Sequence, residues 1–408
     1  MTLRVGWPAV GWEDRDWSWP GGLRPPRADR LFTRYRSAVP PRIADADAWL
    51  SGAVANRVAA AEAAIARLDA QRPADLTAFS GLLLRSESVA SSKIEHLDVS
   101  HRDVSAAMVG ARSSRSTAGR VAANLQAMQL AIGKAGLGDE FTLDDLLSIH
   151  HVLMRDDPYE GRCAGTVRQD QNWIGGSDHA PREALFVPPR PELVSTLLED
   201  LVAFMNRADL PPIVQAAIAH AQFETIHPFG DGNGRTGRVL IHAVLRRRRA
   251  VQKVNVPVST VLLADPEGYF DGLTAYRDGD LGLWLTRFAD AAARAAEHGQ
   301  AVADEFEQLR REWWDEVKPR TGSTVEALLH VASRQPVMTV EHLRDALPGA
   351  SDPAIYRAID RLCRAGVLVE VTGYGRNRVW AAQDVLDLLD EFERTVGRRR
   401  LPQAIDGG

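Results

Sequence analysis

Residues 227–238 read HPFGDGNGRTGR, and the sequence on either side of them decides the fold. Upstream, PPIVQAAIAHAQFETI places Ile213, Val214, Ala217, Ile218 and Ala221 at helical spacing, with Pro212 near the start. Downstream, Leu240, Ile241, Val244 and Leu245 repeat the spacing. The unit is therefore helix, loop, helix. Pro228 disfavours helical backbone at the residue before it, so His227 falls where the first helix ends.

Ordering four glycines in twelve positions costs much chain entropy, and the loop must hold something in return. GNGRTG (232–237) has the spacing of a dinucleotide fingerprint, but that motif follows a strand and this one follows a helix. A P-loop needs a lysine, and none is present here. What remains is a loop whose amides turn inward at a helix N-terminus and form a nest for an anion. Arg235 and Arg238, three apart in the first turn, project from one face and can fork onto phosphate oxygens. Asp231 would repel a phosphate unless it holds a Mg²⁺ that bridges two of them. Asn233 can donate to a phosphate oxygen. His227, whose ordinary pKa is close to working pH, can take a proton from an incoming hydroxyl. An activated hydroxyl, a metal and a polyphosphate amount to phosphoryl or nucleotidyl transfer. His220 reads as a core or supporting histidine, and Tyr269 and Tyr276 as core residues.

The whole chain sets the frame. Its 408 residues, 45% of them hydrophobic, suffice for roughly two or three domains. A net charge of −5 argues against a protein dominated by nucleic-acid or acidic-membrane binding. Cys163 and Cys363, far apart in sequence, form neither a disulfide framework nor a zinc site, which suits a reducing cytoplasm. Neither a signal sequence nor a long apolar run occurs, so export and membrane spanning are not expected.

The class expected is mainly α. Residues 1–42 read as an irregular arm pinned by Trp7, Trp12, Trp17 and Trp19. Helices are expected at 44–70, 74–97, 117–135, 143–155 and 191–207, and again from the loop to about 298, with a charged connecting helix over 300–318. Between them, two extended runs at 167–174 and 184–187 flank a Gly, Ser and Asp-rich tip and predict a β-hairpin. Near the C-terminus come a helix, a short helix after Thr339, and a helix with Asp352 as N-cap and Pro353 in first position. Strands at 367–371 and 378–381 then flank a turn, and the set reads as a winged helix-turn-helix. The domain division expected is 1–115, an N-terminal arm and helices; 116–300, a catalytic core; 301–322, a connecting helix; 323–395, the winged helix; and 396–408, a tail.

His227, Phe229, Asp231, Gly232, Asn233, Gly234, Arg235 and Arg238 reproduce H-x-F-x-D/E-G-N-G-R-x-x-R, and the chain thereby resembles the Fic (Fic/Doc) family. The resemblance covers about 117–300 and implies a Fic-fold helical bundle whose hairpin is the family's flap. It implies transfer of AMP from ATP to a Ser, Thr or Tyr hydroxyl of a target protein. His227 would be the general base and Asp231 the Mg²⁺ ligand. Gly232, Asn233, Gly234 and Arg235 would cradle phosphates, with Phe229 and Gly230 in the same ATP-binding set. Arg238 would bind the γ-phosphate. The flap, around Trp173 and Ile174, would pair with an extended target segment as an added strand. SSKIEH (91–96) resembles the family's inhibitory motif S/T-x-x-x-E-G/N, with Ser91 and Glu95 in place and His96 where Gly or Asn is usual. Glu95 would pair with Arg238 and exclude the γ-phosphate.

The leading expectation is an autoinhibited protein adenylyltransferase, with self-modification and homodimer formation compatible with it. One alternative is the reverse reaction, removal of AMP from a modified protein. The other is a DNA-binding regulator whose Fic core senses nucleotide. Arg357, Arg361, Arg364, Arg376 and Arg378 offer the winged helix weak phosphate contacts, countered by Asp352, Asp360 and Glu370, so DNA is not the favoured partner. The run 246–249 of arginines reads as a solvated helix C-terminus.

Overall fold

The computed structural model describes residues 6–19, 21, 24–70, 75–372 and 378–398. The N-terminal segment holds strand β1 (Gly11–Asp16), a single helical turn α1 (Arg27–Arg30) and strand β2 (Arg34–Val39). It is not the irregular arm expected, because β1 and β2 pair antiparallel from Gly11↔Val39 to Asp16↔Arg34. Charged residues dominate these strands, which hides them from a hydrophobic reading. Their exposed Asp16–Arg34 and Asp14–Arg36 pairs (3.5 and 3.9 Å) add little stability. The ladder is held by its neighbour instead: Val10 and Ala38 pack with Phe186 and Ile174, and Ala38 N–H donates to Val187 O at 2.9 Å.

Helix α2 (Gly52–Asp69) starts later than expected. Asp200 accepts the amides of Ile43 (2.6 Å) and Ala44 (3.3 Å), so these donors are satisfied outside a helix, and Ser51 caps the helix by accepting from Val54. α3 (Leu76–Ile94) is capped by Asp75 and buried almost throughout its second half. It is followed by α4 (His101–Met108), α5 (Thr117–Gly136) and α6 (Leu143–Met154), the last closed by a Thr142–Asp145 capping box.

The expected hairpin reduces to one antiparallel bridge, Ile174↔Phe186. The rest of 165–190 spends its donors elsewhere, as where Arg168 N–H binds Pro228 O at 2.9 Å. The tip turns on Gly176 (φ 75°), where a Cβ would lie 2.4 Å from Arg182 O.

α7 (Pro191–Met205), α8 (Pro212–Ile226) and α9 (Asn233–Arg247) follow. Every residue of α8 from Ile213 to Ile226 is buried, and so is α9 from Asn233 to Leu245. Helices buried on all sides lie at a core centre, and their polar side chains must find partners there. α10 (Val258–Ala264) and α11 (Pro266–Arg277) lead into α12 (Leu281–Val317), one 37-residue helix where two helices parting near 298 were expected. Gly299 lets α12 approach α2, since a Cβ there would stand 3.1 Å from Leu68.

The C-terminal part comprises α13 (Thr324–Arg334), β3 (Val337–Thr339), α14 (Val340–Ala346), α15 (Asp352–Arg364), β4 (Val369–Glu370), β5 (Val379–Ala381) and α16 (Gln383–Arg398). Its antiparallel sheet has the order β3-β5-β4, with β3 an addition to the expected hairpin. Ser351 takes the N-cap position expected of Asp352, one residue earlier. Arg376 lies outside the described residues. One large hydrophobic cluster draws residues from Trp7 to Val396, while the β1–β2 ladder packs in a separate small cluster. No helix among the described residues is long and apolar enough to cross a membrane.

Candidate active site

The loop between α8 and α9 is shaped by two left-handed residues, His227 (φ 50°) at the end of α8 and Gly232 (φ 77°) at the start of α9. Pro228 makes the first stop, as expected. Asn233 closes the loop on itself: its Nδ2 donates to Phe229 O (2.8 Å) and its Oδ1 accepts from Phe229 N–H (2.9 Å). Asn233 thus fixes the shape of the loop with its Oδ1 and one N–H of Nδ2, and the second N–H of that amide is left to donate elsewhere. Phe229 is fully buried and stacks on His150, with ring centroids 3.6 Å apart and planes nearly parallel.

His150 was not singled out from the sequence. Gly165 N–H donates to its Nδ1 (2.9 Å), so the ring proton sits on Nε2 and is directed to Asp231 O (3.0 Å). Burial pushes this imidazole down to about 4, which keeps it neutral. Gly232 has no room for a side chain here, because a Cβ would stand 2.8 Å from Met154 Sδ.

Arg235 projects from the first turn of α9 and Arg238 from the second, and they are 2% and 1% exposed. Among the described residues, Nε and Nη1 of Arg235 have no hydrogen-bond partner, and Nη2 meets Met154 Sδ (3.5 Å) and, at 3.7 Å, Asp231 Oδ2. A buried guanidinium with free N–H groups is a site waiting for an anion. Arg238 is already engaged: Nε donates to Ser91 Oγ (2.9 Å), and Nη2 to Ser91 O (2.7 Å) and Glu95 Oε1 (2.8 Å).

Glu95 ends α3, and its carboxylate hangs over the start of α9. A Cβ on Gly234 would fall 1.9 Å from Glu95 Oε1, so this glycine is what allows the approach. Burial works to raise the Glu95 pKa, but the charge and hydrogen bond of Arg238, with Arg235 and His227 behind, hold it below the usual carboxylate range. Burial works against Arg238 too, and Glu95 overturns it and raises the guanidinium. The carboxylate is 39% exposed, so the pair is partly screened. His96 follows at φ 59°, in the left-handed region. Its departure from Gly or Asn is thus a matter of backbone conformation more than of side-chain bulk.

His227 is 18% exposed, and its Nδ1 has no hydrogen-bond partner among the described residues. Its pKa is lower than the sequence led us to expect. Burial first, and Arg168 second, push it down to about 4, so at neutral pH the ring is in the free-base form. Its carbonyl accepts from Arg168 Nε (2.9 Å), and Phe229 O accepts from Asn172 Nδ2 (3.0 Å), which ties the flap to the loop. Trp173 donates from Nε1 to Ser177 O (2.7 Å) and stands edge-on to Trp17 at 5.5 Å. An open groove of about 390 Å³ runs along residues 171–178. Tyr269 and Tyr276 are core residues, hydrogen-bonded to His220 (2.9 Å) and Gln222 (2.8 Å).

Asp231 is the candidate metal ligand. Its Oδ1 accepts from Gly232 N–H (2.6 Å), while Oδ2 lies between Arg235 (3.7 Å) and Arg120 (4.0 Å) on a side chain that is 47% exposed. The described residues hold no group of three or more His, Cys, Asp or Glu able to cage an ion. One half-exposed carboxylate beside an anion nest fits Mg²⁺, which is held by one or two carboxylates together with substrate phosphates and water.

Two buried helices thus meet at a helix start that can receive an anion, beside a buried imidazole and beneath a loop that can line an extended segment. The arrangement defines a helical class with a site suited to an anion. Residues 140–245 match the Fic/DOC family, and residues 55–133 match the N-terminal region of that family. The chain thus matches the Fic/DOC family in two separate regions. Protein adenylyltransferase fic-1 of Caenorhabditis elegans is 38% identical over 126 residues, 30% of this chain and 22% of that protein. Protein adenylyltransferase Fic of Aedes aegypti is 33% identical over 160 residues, 38% of this chain and 28% of that protein. The chain spans under a third of the length of these curated relatives. Among solved structures, a Fic family protein from Desulfovibrio desulfuricans G20 superposes with a TM-score of 0.53 at 23% identity, covering 82% of this chain and 97% of that one. A Fic domain containing signaling protein from Bacteroides thetaiotaomicron gives 0.50 at 17%, covering 61% and 97%. These two likenesses establish the fold.

His150, Arg168 and Glu224 are the residues that sequence reasoning passed over. Glu224 left a signal, as the one acidic residue on α8; the other two left none, since their partners in the loop lie 59 to 81 positions away.

Proposed function

We propose that this chain is a Fic-type protein adenylyltransferase, transferring AMP from ATP to a Ser, Thr or Tyr hydroxyl of a target protein, and that Glu95 holds it inactive. The observation that carries the reading is the 2.8 Å contact between Arg238 and Glu95, with the carboxylate seated over Gly234 where a phosphate would lie. The names of the relatives supply the reaction class.

In this reading the α9 start and Arg235 receive the phosphate chain, and Arg238 takes the γ-phosphate once Glu95 leaves. Asp231 would hold Mg²⁺, which neutralises charge on the phosphates when bound. The target hydroxyl gives its proton to His227. Its oxygen bonds to the α-phosphorus, the bond from that phosphorus to the oxygen bridging to the β-phosphate breaks, and pyrophosphate leaves. The flap, around Trp173 and Ile174, lines the groove in which the target segment would lie.

We read the C-terminal part as a winged helix used for protein contact rather than DNA, since three of its arginines are already engaged. Arg378 pairs with Glu370, Arg361 donates to Lys318 O (3.0 Å), and Arg364 donates to Asp360 O (3.2 Å). Free Cys163 and Cys363 suit a cytoplasmic setting.

The test is to incubate wild type and Glu95→Gly with Mg²⁺ and ATP labelled on the α-phosphate, and to read added mass by mass spectrometry. The variant is expected to carry 329 Da additions on itself or a partner at a rate roughly tenfold or more above wild type, as loss of a charged contact of ~1.4 kcal/mol or more would give. Intact ATP binding without any transfer would overturn the reading.

A further inference from the structure

Glu224 is left without a role once the loop, the arginines and Glu95 are placed. It lies one turn before His227 on α8 and is 6% exposed, and its Oε1 has no hydrogen-bond partner among the described residues. Desolvating a carboxylate without a partner is costly, and such a group calls for an explanation. The fold keeps space for it. A Cβ on Gly237 would come within 2.4 Å of Glu224 Oε1 and 3.2 Å of His220 Nδ1, so glycine at 237 makes room for the carboxylate. On its other side, Oε2 lies 4.0 Å from His227 Nδ1, which is also buried and unpartnered.

We propose that Glu224 is a positioning residue for His227: its carboxylate faces Nδ1 and keeps the ring proton there, so that Nε2 on the opposite edge stays free to take the proton of the incoming hydroxyl. The inference rests on the reading of His227 as general base. A neutral imidazole carries one proton on one of two nitrogens, and a base needs the reacting nitrogen bare. The Glu224 backbone carbonyl also acts to raise the His227 pKa, against the larger effect of burial. The 4.0 Å gap is longer than a hydrogen bond, and such contacts commonly tighten only when substrate binds. During transfer the hydroxyl proton goes to Nε2 and the Nδ1 proton stays in place. The carboxylate then stabilises the imidazolium that forms, without itself exchanging a proton.

The charge on Glu224 sets the tautomer. Burial pushes the group up to about 7; Arg238 of α9 opposes the rise, Glu95 beyond the end of α3 adds to it, and Arg277 of α11 opposes it. His220 and His227 of α8 and Tyr269 of α11 complete its surroundings. Ionised, Glu224 accepts from Nδ1–H and leaves Nε2 bare. Protonated, it offers O–H to Nδ1 and favours the unproductive tautomer. Transfer therefore rises as pH passes upward through the Glu224 titration, and removing Glu95 moves that rise to lower pH.

The experiment uses the full chain. In the Glu95→Gly background, self-modification with Mg²⁺ and ATP is followed from pH 5.5 to 9 with Glu224→Gln and Glu224→Asp added in turn. Glu224→Gln is expected to lower kcat roughly tenfold with KM for ATP unchanged, and to flatten the acid limb. Glu224→Asp is expected to restore part of both. An unchanged profile, or a loss confined to KM, overturns the inference. A second measurement is independent of turnover: ¹⁵N imidazole NMR on histidine-labelled wild type at pH 8 is expected to place the His227 proton on Nδ1, with a shift toward Nε2 in Glu224→Gln. A tautomer that ignores Glu224 overturns the proposal even where transfer occurs. If Glu95→Gly transfers nothing, the functional reading falls, and the NMR still decides what Glu224 does to His227.

Discussion

The α8–α9 pair and helix α3 meet at the same arginine, yet they are built in opposite ways. α8 and α9 are buried along nearly their whole length, and the loop between them is locked by Asn233, Phe229 and His150. α3 is buried in its middle, but its end emerges at Glu95 and breaks off in a left-handed histidine. Its anchors come from the C-terminal part. Asp75 at its start meets Arg334 (3.2 Å), Arg85 donates to Gln335 (2.8 Å), and Lys93 pairs with Glu393 of α16 (2.6 Å). The loop is a fixed receptor, and the element that blocks it is adjustable and held from outside. Changes to the first should destroy function or stability, while changes to the second should tune it.

The largest effect expected is at His227. In the Glu95→Gly background, His227→Ala should cut AMP transfer by roughly 10²- to 10⁴-fold, the usual contribution of a general base, with ATP affinity by calorimetry unchanged. Transfer that survives the substitution would remove the base from the loop and break the comparison at its fixed side.

Next comes the scaffold. Gly237→Ala drives a Cβ to 2.4 Å from Glu224 Oε1 and 3.0 Å from Phe223, between two helices with no exposed side to yield. Overpacking of this kind should cost about 1–3 kcal/mol in urea unfolding. A neutral result would mean that α8 and α9 can slide apart, and that the receptor is less rigid than its burial indicates.

A smaller, regulatory effect is expected at Glu393. Glu393→Gln removes the partner of Lys93, two residues before Glu95, and of His101, 3.4 Å away. Burial works to raise this carboxylate, but the His101 and Lys93 contacts hold it at about 2. With the folded value depressed, the contribution is fully present above the unfolded pKa and is lost only as pH falls through about 2, so it acts across the whole neutral range. The substitution should raise basal self-modification a few-fold, corresponding to about 1 kcal/mol at a partly exposed pair. Unchanged basal activity would uncouple the C-terminal part from Glu95.

The same contrast governs what could be read from the sequence. The glycine loop was legible residue by residue because its geometry is local: a proline fixes the end of α8, Gly232 supplies a left-handed turn before α9, and two arginines share a face three positions apart. Glu95 was legible through its motif. The β1–β2 ladder was not, because its strands carry charge on both faces and owe their order to Phe186 and Val187, far along the chain. His150 and Arg168 were missed for the same reason, since each acts on a loop dozens of positions away. The unbroken run of α12 escaped notice because its charged second half resembles a linker, although Phe306 and Trp313 anchor it in the common core.

The smallest effect expected is at the residue where α3 stops. His96 adopts φ 59°, which costs an ordinary side chain roughly 1 kcal/mol that glycine avoids. Glycine also gives the unfolded chain more freedom, which takes back part of that gain. His96→Gly should therefore change global stability by less than about 1 kcal/mol, a shift of a few degrees at most in thermal melting. Its informative readout is kinetic. By easing the turn that ends α3, glycine should hold Glu95 over Gly234 more of the time and lower basal self-modification about two-fold, with the Glu95→Gly rate unaffected. A rise in basal activity would mean that the strained histidine helps to press Glu95 onto Arg238, and the adjustable side of the comparison would then be set by strain in the turn as well as by the anchors of α16.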